Sequence, residues 1–171
     1  QDENGEFISM EECQNNCKPK YGTVTDVDGN EYRTVRIGDI NWMAENLKTR
    51  KFNNGDAITY MPSNIVWIGA ELDKKPGYAI DPDPSLQESE EEFGLLYNGY
   101  VTVDDRNVCP DGWVLPTVED IEEATSDYGG LEKAAAAMID TFHRGSIGIT
   151  NESGLSLRLG GFRQYDGQFL D

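Results

Sequence analysis

The chain has 171 residues, 37% of them hydrophobic, and it carries 32 acidic against 14 basic residues, a formal net charge of −18. This length fits one domain of ordinary size with a small additional piece. Nucleic acids and anionic membranes both require a basic surface, so the charge argues against either partner. The sequence has no run of about 20 apolar residues, so we expect no membrane insertion by this segment.

The three cysteines, Cys13, Cys17 and Cys109, form an odd set. A zinc site would show Cys-x2-Cys pairs or several histidines, and His143 is the one histidine in the sequence. Disulfides in an exported chain are therefore favoured over metal ligation. The odd cysteine then either has a partner outside this sequence or is a free thiol.

The first twenty residues differ from the rest of the chain. Ser9 is placed as a helix N-cap with Glu12 at the capping-box position, which predicts a short helix. That helix would carry Cys13 and Cys17 on one face, close to the upper limit for bridging. We interpret residues 1–20 as a cysteine-containing helix and linker at the end of a preceding module.

A β-hairpin is predicted to open the main domain. Residues 22–27 and 31–37 alternate β-branched and aromatic side chains around an Asp-Gly-Asn turn. The alternative is a calcium loop built on Asp26, Asp28 and Asn30. An EF-hand requires glycine at its sixth position and glutamate at its twelfth, where this sequence has glutamate and isoleucine. The hairpin is therefore preferred, and no metal site is assigned.

Residues 48–93 are predicted to form a long polar loop that contains Tyr60, Trp67 and Tyr78. Aromatic rings on loops can stack on sugar rings, so these three side chains are the candidate ligand-binding residues. Core packing is the stronger interpretation for Trp67, whereas Tyr78 fits either role. The acidic run at 87–92 is expected to be a solvated surface that could take up a calcium ion.

The helices are predicted to begin late in the chain. A Pro-Asp-Gly turn leads into Trp113, which we expect to be a core anchor. Thr117 is placed as an N-cap with Asp120 three residues later, which predicts a helix over 117–127. Its inward side chains are expected to be Ile121 and Ala124.

A second helix is predicted over 131–140, because its run of four alanines has high helix propensity. Periodicity assigns it one apolar packing face. The residues of that face are Leu131, Ala135, Met138 and Ile139.

Polar residues inside the apolar blocks have structural interpretations. Glu45 and Asn46 are expected to satisfy backbone groups of an irregular connection. No Ser-His-Asp or Cys-His set can be assembled, and the carboxylates are too numerous for any pair to be chosen as acid and base. We therefore expect no enzymatic activity and no catalytic residues.

Four blocks of sequence carry a family resemblance. They are Trp42-Met43-Ala44-Glu45-Asn46-Leu47, Gly94-Leu95-Leu96-Tyr97-Asn98, Cys109-Pro110-Asp111-Gly112-Trp113-Val114-Leu115-Pro116-Thr117 and Gly160-Gly161-Phe162-Arg163. In this order they resemble the Fibrobacter succinogenes major paralogous domain, over residues 21–171. The resemblance implies an α+β, C-type-lectin-like fold: a twisted antiparallel sheet with long loops and two short helices. It also implies an exported, often lipid-anchored bacterial protein.

The end of the sequence departs from this family. After Phe169 the family continues through a Trp-Ser-Ser block into a last strand with a cysteine, and neither is present here. The resemblance therefore implies that the closing strands are missing from this sequence. The missing cysteine would be the natural partner of Cys109.

The leading functional expectation is a secreted or cell-surface recognition or adhesion module that binds glycan or protein through its loops. The alternative is a structural subunit or tip of an extracellular filament, which would self-assemble or join other chains. An enzyme is the least favoured class. No cofactor is expected, apart from an adventitious calcium ion.

Overall fold

The computed structural model describes residues 21–80, 89–141, 148–158 and 160–170, and these residues form an α+β fold. The predicted N-terminal helix, with Cys13 and Cys17, lies outside them, as does His143. The described elements are, in chain order, β1 (Tyr21–Thr25), β2 (Glu31–Ile37), β3 (Ile40–Met43), β4 (Thr59–Tyr60), α1 (Asn64–Asp73), β5 (Gly77–Ala79), α2 (Ser89–Phe93), β6 (Leu96–Tyr97), α3 (Gly99–Thr102), α4 (Val118–Ser126), α5 (Leu131–Met138), β7 (Phe162–Arg163) and β8 (Phe169–Leu170).

The described strands form three small sheets, ordered β1-β2-β3, β4-β5-β6 and β7-β8. All pairs are antiparallel except β4 with β5, which is parallel. In the part of the chain that the structure describes, no helix is both long and apolar enough to cross a membrane.

The predicted hairpin is confirmed as β1 and β2, with Tyr21 opposite Val35 and Thr25 opposite Glu31. Strand β3 continues this sheet on the other side of β2. This sheet packs against α4 and α5 through the inward side chains of β2, including Val35. The hydrophobic cluster at this contact consists of Val35, Ile37, Ala44, Ala124, Ala134, Met138 and Leu155.

The structural roles predicted for Glu45 and Asn46 are confirmed. A carboxylate oxygen of Glu45 accepts the Arg33 backbone N–H at 2.6 Å. The side-chain amide of Asn46 donates to the Phe93 backbone oxygen at 2.9 Å, which fastens the segment after β3 to the end of α2. Both residues therefore hold an irregular connection in place.

The prediction of one long loop over 48–93 is wrong, because that range contains β4, α1, β5 and α2. Helix α1 begins at an N-cap: the Ser63 hydroxyl accepts the Val66 N–H at 3.4 Å. It ends at Lys74, whose left-handed backbone donates to the Ala70 and Glu71 carbonyls. The helix was missed because its apolar residues lie on both sides, so the pattern lacks the polar face that marks an amphipathic helix.

The two later helices are confirmed, although the residues that they bury differ in part from the prediction. Thr117 and Asp120 form the expected capping box at the start of α4. Ala124 is buried as predicted, but Ile121 is exposed because α4 contacts the core only through Ala124 and Thr125 in its C-terminal half.

Helix α5 also contacts the core through a different set of side chains. It buries Ala134, Ala137 and Met138, whereas Leu131 and Ala135 are exposed. Met138 was predicted correctly. The buried face of α5 is therefore rotated about the helix axis relative to the predicted face. Small alanines on this face, in place of the bulkier Leu131, allow α5 to approach the first sheet and α4 closely.

Cys109 is a free cysteine in this structure, buried in the cluster around the second sheet. Burial raises the pKa of its thiol. Trp113, the predicted core anchor, is half-buried and packs against the same cluster.

Candidate functional site

Three tyrosines form a row across the second sheet. The strand register places Tyr60 beside Tyr78 and Tyr78 beside Tyr97. The Tyr60 and Tyr78 ring centroids are 5.3 Å apart with an interplanar angle of 32°, and those of Tyr78 and Tyr97 are 6.5 Å apart. Tyr60, the outer member, is 46% exposed, whereas Tyr78 is buried. We call these residues the tyrosine row.

The inner end of the tyrosine row is fixed by burial and by a hydrogen bond. The Tyr97 hydroxyl donates to the Thr49 backbone oxygen at 2.6 Å. Burial raises the pKa of both Tyr97 and Tyr78, so both phenols stay protonated. The half-exposed Tyr60 ring therefore packs against the uncharged Tyr78 ring, which the Tyr97 ring contacts on the next strand.

Two ion pairs lie near the tyrosine row. Arg50 is paired with Glu90, and Lys51 Nζ lies 2.7 Å from a carboxylate oxygen of Asp28. The charges of Arg50, Glu90 and Asp28 all act on the Tyr78 hydroxyl. Charged groups of both signs therefore act on the buried middle member of the tyrosine row.

Asp28 connects the hairpin turn to the segment that carries these charges. Its carboxylate accepts the Arg50 backbone N–H at 2.7 Å and the Thr49 hydroxyl at 3.0 Å, in addition to its contact with Lys51. Burial alone would raise the pKa of Asp28, but these three partners together lower it. The carboxylate is therefore ionised and held in one orientation.

Trp67 is buried and supports a neighbouring arginine. Its indole N–H donates to the Gln164 backbone oxygen at 2.8 Å, and 5% of the residue is exposed. The Arg163 guanidinium lies 4.6 Å from the ring centroids of both Trp67 and Phe169. This burial favours the core role of Trp67, so a ligand could reach its ring only after local rearrangement.

Arg163 is the residue of this region that the sequence analysis did not single out. It donates to the Met61 oxygen at 2.7 Å, the Asn64 side-chain oxygen at 3.0 Å and the Gly167 oxygen at 3.1 Å. Burial lowers its pKa, and the nearby Tyr60 opposes that shift. The only signal in the sequence was its position in the Gly-Gly-Phe-Arg block.

Asp26 lies in the turn where a calcium loop was considered. Its carboxylate accepts from the Asp28 and Asn30 backbone N–H groups, both at 2.9 Å, and from the Tyr32 hydroxyl at 2.6 Å. These bonds stabilise the hairpin turn. Among the residues that the structure describes, no group of three or more His, Cys, Asp or Glu side chains could hold a metal ion.

The described part of the acidic run is solvated in part: the Glu91 side chain is 81% exposed as predicted, whereas those of Glu90 and Glu92 are 34% and 21% exposed. Glu90 pairs with Arg50, Glu91 with Lys48 and Glu92 with Arg158. Each basic partner is at least 40 residues away in sequence. The run therefore ties α2 to distant segments instead of facing solvent alone.

The fold and this surface define an α+β domain in which the exposed Tyr60 ring is supported by the buried Tyr78 and the partly buried Tyr97. The chain belongs to the Fibrobacter succinogenes major domain family, whose model matches residues 35–171. This match confirms the family resemblance of the sequence blocks. Neither the curated proteins nor the solved structures include a match to the chain.

Proposed function

We propose that the protein is a non-catalytic recognition domain of C-type-lectin-like fold, exported to the bacterial cell surface, that binds a glycan against Tyr60. One observation carries the proposal: the exposed Tyr60 ring packs against the buried Tyr78, on which the charges of Arg50, Glu90 and Asp28 act. The other features of the site support the same class of ligand.

A sugar ring suits this surface because it has an apolar face and a polar rim. The apolar C–H face of a pyranose can lie on the Tyr60 ring, which loses little conformational entropy because Tyr78 already orders it. The hydroxyl groups at the rim can then exchange hydrogen bonds with Arg50, Glu90 and Lys51. A purely apolar ligand would desolvate these ion pairs without offering them hydrogen bonds in place of water.

A binding role without catalysis is supported by the state of the reactive groups. Asp28 is paired with Lys51 and its pKa is lowered, so it is not suited to act as a general acid near neutral pH. Burial raises the pKa of the Cys109 thiol, which disfavours the nucleophilic thiolate. The contacts of Asp28 with residues 49–51 and the burial of Cys109 support structural roles for both side chains.

The test is binding to an array of pyranose oligosaccharides, with the hits measured by calorimetry. Tyr60→Ala should abolish binding, whereas Tyr60→Phe should retain most of it because the ring face is preserved. Tyr165→Ala is the control, since Tyr165 is an exposed tyrosine outside the tyrosine row. Binding that survives Tyr60→Ala, or no binding to any glycan, would overturn the proposal.

A structural subunit of a surface assembly is the second candidate, and strand β1 favours it. The Asp26 N–H donates to the Asn30 oxygen, so the alternating ladder directs the main-chain groups of Tyr21, Thr23 and Thr25 away from β2. In the described part of the chain β1 is an edge strand, and it contains no charged residue or proline. Such an edge can accept a strand from another molecule.

Proline at the edge distinguishes the two candidates. Thr23→Pro removes an N–H that the sheet does not use, so the domain should stay folded while strand addition is blocked. Filaments seen by electron microscopy for the unaltered protein and lost in this variant would favour the assembly role. Filaments that persist in the variant would argue against β1 as the connection.

A further inference from the structure

Two Asn-Gly pairs lie in the part of the chain that the structure describes, and the fold places them in opposite environments. The first pair, Asn54 and Gly55, forms an exposed turn. The second pair, Asn98 and Gly99, lies at the start of α3, where Asn98 is the N-cap residue and is 7% exposed. The remaining Asn-Gly pair of the sequence, at 4–5, lies outside the described residues.

An asparagine that precedes a glycine can lose its side-chain amide without an enzyme. The backbone nitrogen of the glycine gives up its proton and bonds to the asparagine Cγ, the Cγ–Nδ2 bond breaks, and Nδ2 takes up a proton and leaves as ammonia. Water then opens the resulting succinimide ring at either carbonyl, which gives aspartate or isoaspartate. The net reaction consumes one water and releases one ammonia. Glycine favours the first step because it has no Cβ to obstruct its nitrogen.

The turn at Asn54 favours the attack on its side chain. Asn54 Oδ1 accepts the Asp56 backbone N–H at 3.0 Å, which forms an Asx turn whose hydrogen-bonded ring includes the Gly55 nitrogen. The side-chain carbonyl is therefore folded back over the peptide group that must attack it. The same N–H can stabilise the negative charge that develops on Oδ1 during the attack. A Cβ added at Gly55 would meet no heavy atom within 4 Å, so the space beside this nitrogen is open to solvent.

The hydrogen bonds that oppose the reaction at Asn54 lie in an exposed turn. The Gly55 N–H donates to the Phe52 backbone oxygen at 2.8 Å, and Asn54 Nδ2 donates to an Asp56 carboxylate oxygen at 3.1 Å. Both bonds must break before the ring can form. Since Asn54, Gly55 and Asp56 are all exposed, water can replace the lost partners. Local opening of such a turn requires much less free energy than unfolding the domain.

Asn98 is protected from the same reaction by its hydrogen bonds. Its Nδ2 donates to the Lys75 backbone oxygen at 2.8 Å, and its Oδ1 accepts the Gly77 N–H at 3.1 Å. These partners are 23 and 21 positions away in sequence, so the side chain is fixed to another segment instead of its own backbone. Attack by the Gly99 nitrogen would leave buried polar groups without partners, which is more costly than breaking exposed bonds.

We propose that Asn54 is a site of spontaneous deamidation, with water as the co-reactant and aspartate or isoaspartate as the product, and that the fold protects Asn98. The two sites have the same dipeptide, so the sequence alone does not distinguish them. The hydrogen-bond partners and the burial of the two side chains do. This modification does not depend on glycan binding.

Deamidation would change the contacts of the turn. It removes the Nδ2 donor of Asn54 and adds a negative charge beside Asp56. The Asp56 carboxylate lies 3.4 Å from Arg106 Nη1, so two neighbouring carboxylates would compete for one guanidinium. Isoaspartate also lengthens the main chain of the turn by one carbon, which should weaken the isolated bridge between Lys51 and Ala57.

The test is incubation of the folded protein for several weeks at body temperature in mildly alkaline buffer, followed by digestion at acid pH and mass spectrometry. The peptide that contains Asn54 should gain the mass difference between an amide and an acid roughly tenfold or more faster than the peptide that contains Asn98. Labelling with an isoaspartyl methyltransferase identifies the isoaspartate product. Asn54→Gln retains an amide but must form a larger, less favourable ring, so it should abolish the change at position 54 and leave Asn98 as it was.

Unfolding in guanidinium chloride separates the effect of the fold from that of the dipeptide. In the unfolded chain, Asn54 and Asn98 should deamidate at similar rates, because each is followed by glycine. Circular dichroism checks that the incubated protein and Asn54→Gln are folded. The proposal would be overturned if Asn54 did not react, if Asn98 reacted as fast in the folded protein, or if the difference between them persisted in the unfolded chain.

Discussion

Arg163 is a cation in a position where a core residue would ordinarily be apolar. Its guanidinium lies between the rings of Trp67 and Phe169 and satisfies two backbone oxygens and one side-chain oxygen. A planar guanidinium can make all these contacts at once, which an ammonium group cannot. Arg163 therefore joins the β7-β8 hairpin to α1 and to the strand that carries Tyr60.

Arg163→Ala should lower the free energy of unfolding by about 2–4 kcal/mol, because it removes both ring contacts and leaves buried oxygens without donors. Arg163→Lys should recover only part of that loss. The measurement is urea unfolding followed by tryptophan fluorescence. Arg36→Ala is the control, since Arg36 forms an exposed pair with Asp39 that contributes at most about 1 kcal/mol. Equal losses for the two alanine variants would contradict the structural role of Arg163.

At the scale of elements, the hairpin and the start of α4 could be predicted because each depends on interactions between residues close in sequence. The Asp-Gly turn identified the hairpin because the turn and the flanking alternation are contiguous in sequence. The capping box identified the start of α4 because its two reciprocal hydrogen bonds join Thr117 to Asp120, which is only three residues later. Each of these features lies within one contiguous stretch of sequence, residues 21–37 for the hairpin and 117–120 for the cap.

Other features depend on distant residues and were therefore missed or misassigned. The tyrosine row exists because β4, β5 and β6 become neighbours, although Tyr60 and Tyr97 are 37 positions apart. Arg163 contacts residues about 100 positions away in sequence. The inward face of α5 follows from the approach of the first sheet, which helical periodicity does not specify.

The capping box at α4 gives a prediction at this scale. The Thr117 hydroxyl accepts the Asp120 N–H at 3.2 Å, and an Asp120 carboxylate oxygen accepts the Thr117 N–H at 2.8 Å. Thr117→Ala should lower the free energy of unfolding by about 1 kcal/mol, because it leaves the Asp120 N–H without its acceptor. Urea unfolding measures the loss. Glu122→Ala, an exposed change within the same helix, should cost less than half as much. If the two variants cost the same, the cap would not be the cause.

At the scale of the whole molecule, the described core consists of three separate hydrophobic clusters. Polar side chains bridge the segments that carry these clusters. Asp28 links the β1-β2 turn to residues 49–51, and Arg163 links the C-terminal hairpin to α1. The free energy of unfolding should therefore depend on the charge state of these bridging side chains. This dependence should be stronger than in a protein with one continuous apolar core.

Acid titration tests this dependence. Contacts with Lys51, Arg50 and Thr49 lower the pKa of Asp28, and Arg106 lowers that of Asp104 to about 2. Carboxyls with depressed folded-state pKa values stabilise the fold above their unfolded pKa, about 3.9, and lose that contribution as the pH falls through the folded values. Self-repulsion from the net charge of −18 weakens first, as the pH approaches the isoelectric point of about 4.2. Urea unfolding across this range should therefore show a free energy of unfolding that rises modestly as the pH falls below 7 and then decreases below about pH 4.

Variants test the contribution of Asp28. Asp28→Asn should be less stable than the unaltered protein at neutral pH and should lose less stability in acid. Asp39→Asn, at an exposed surface pair, should follow the curve of the unaltered protein. Parallel curves for Asp28→Asn and the unaltered protein would show that the bridge at Asp28 does not set the acid limit.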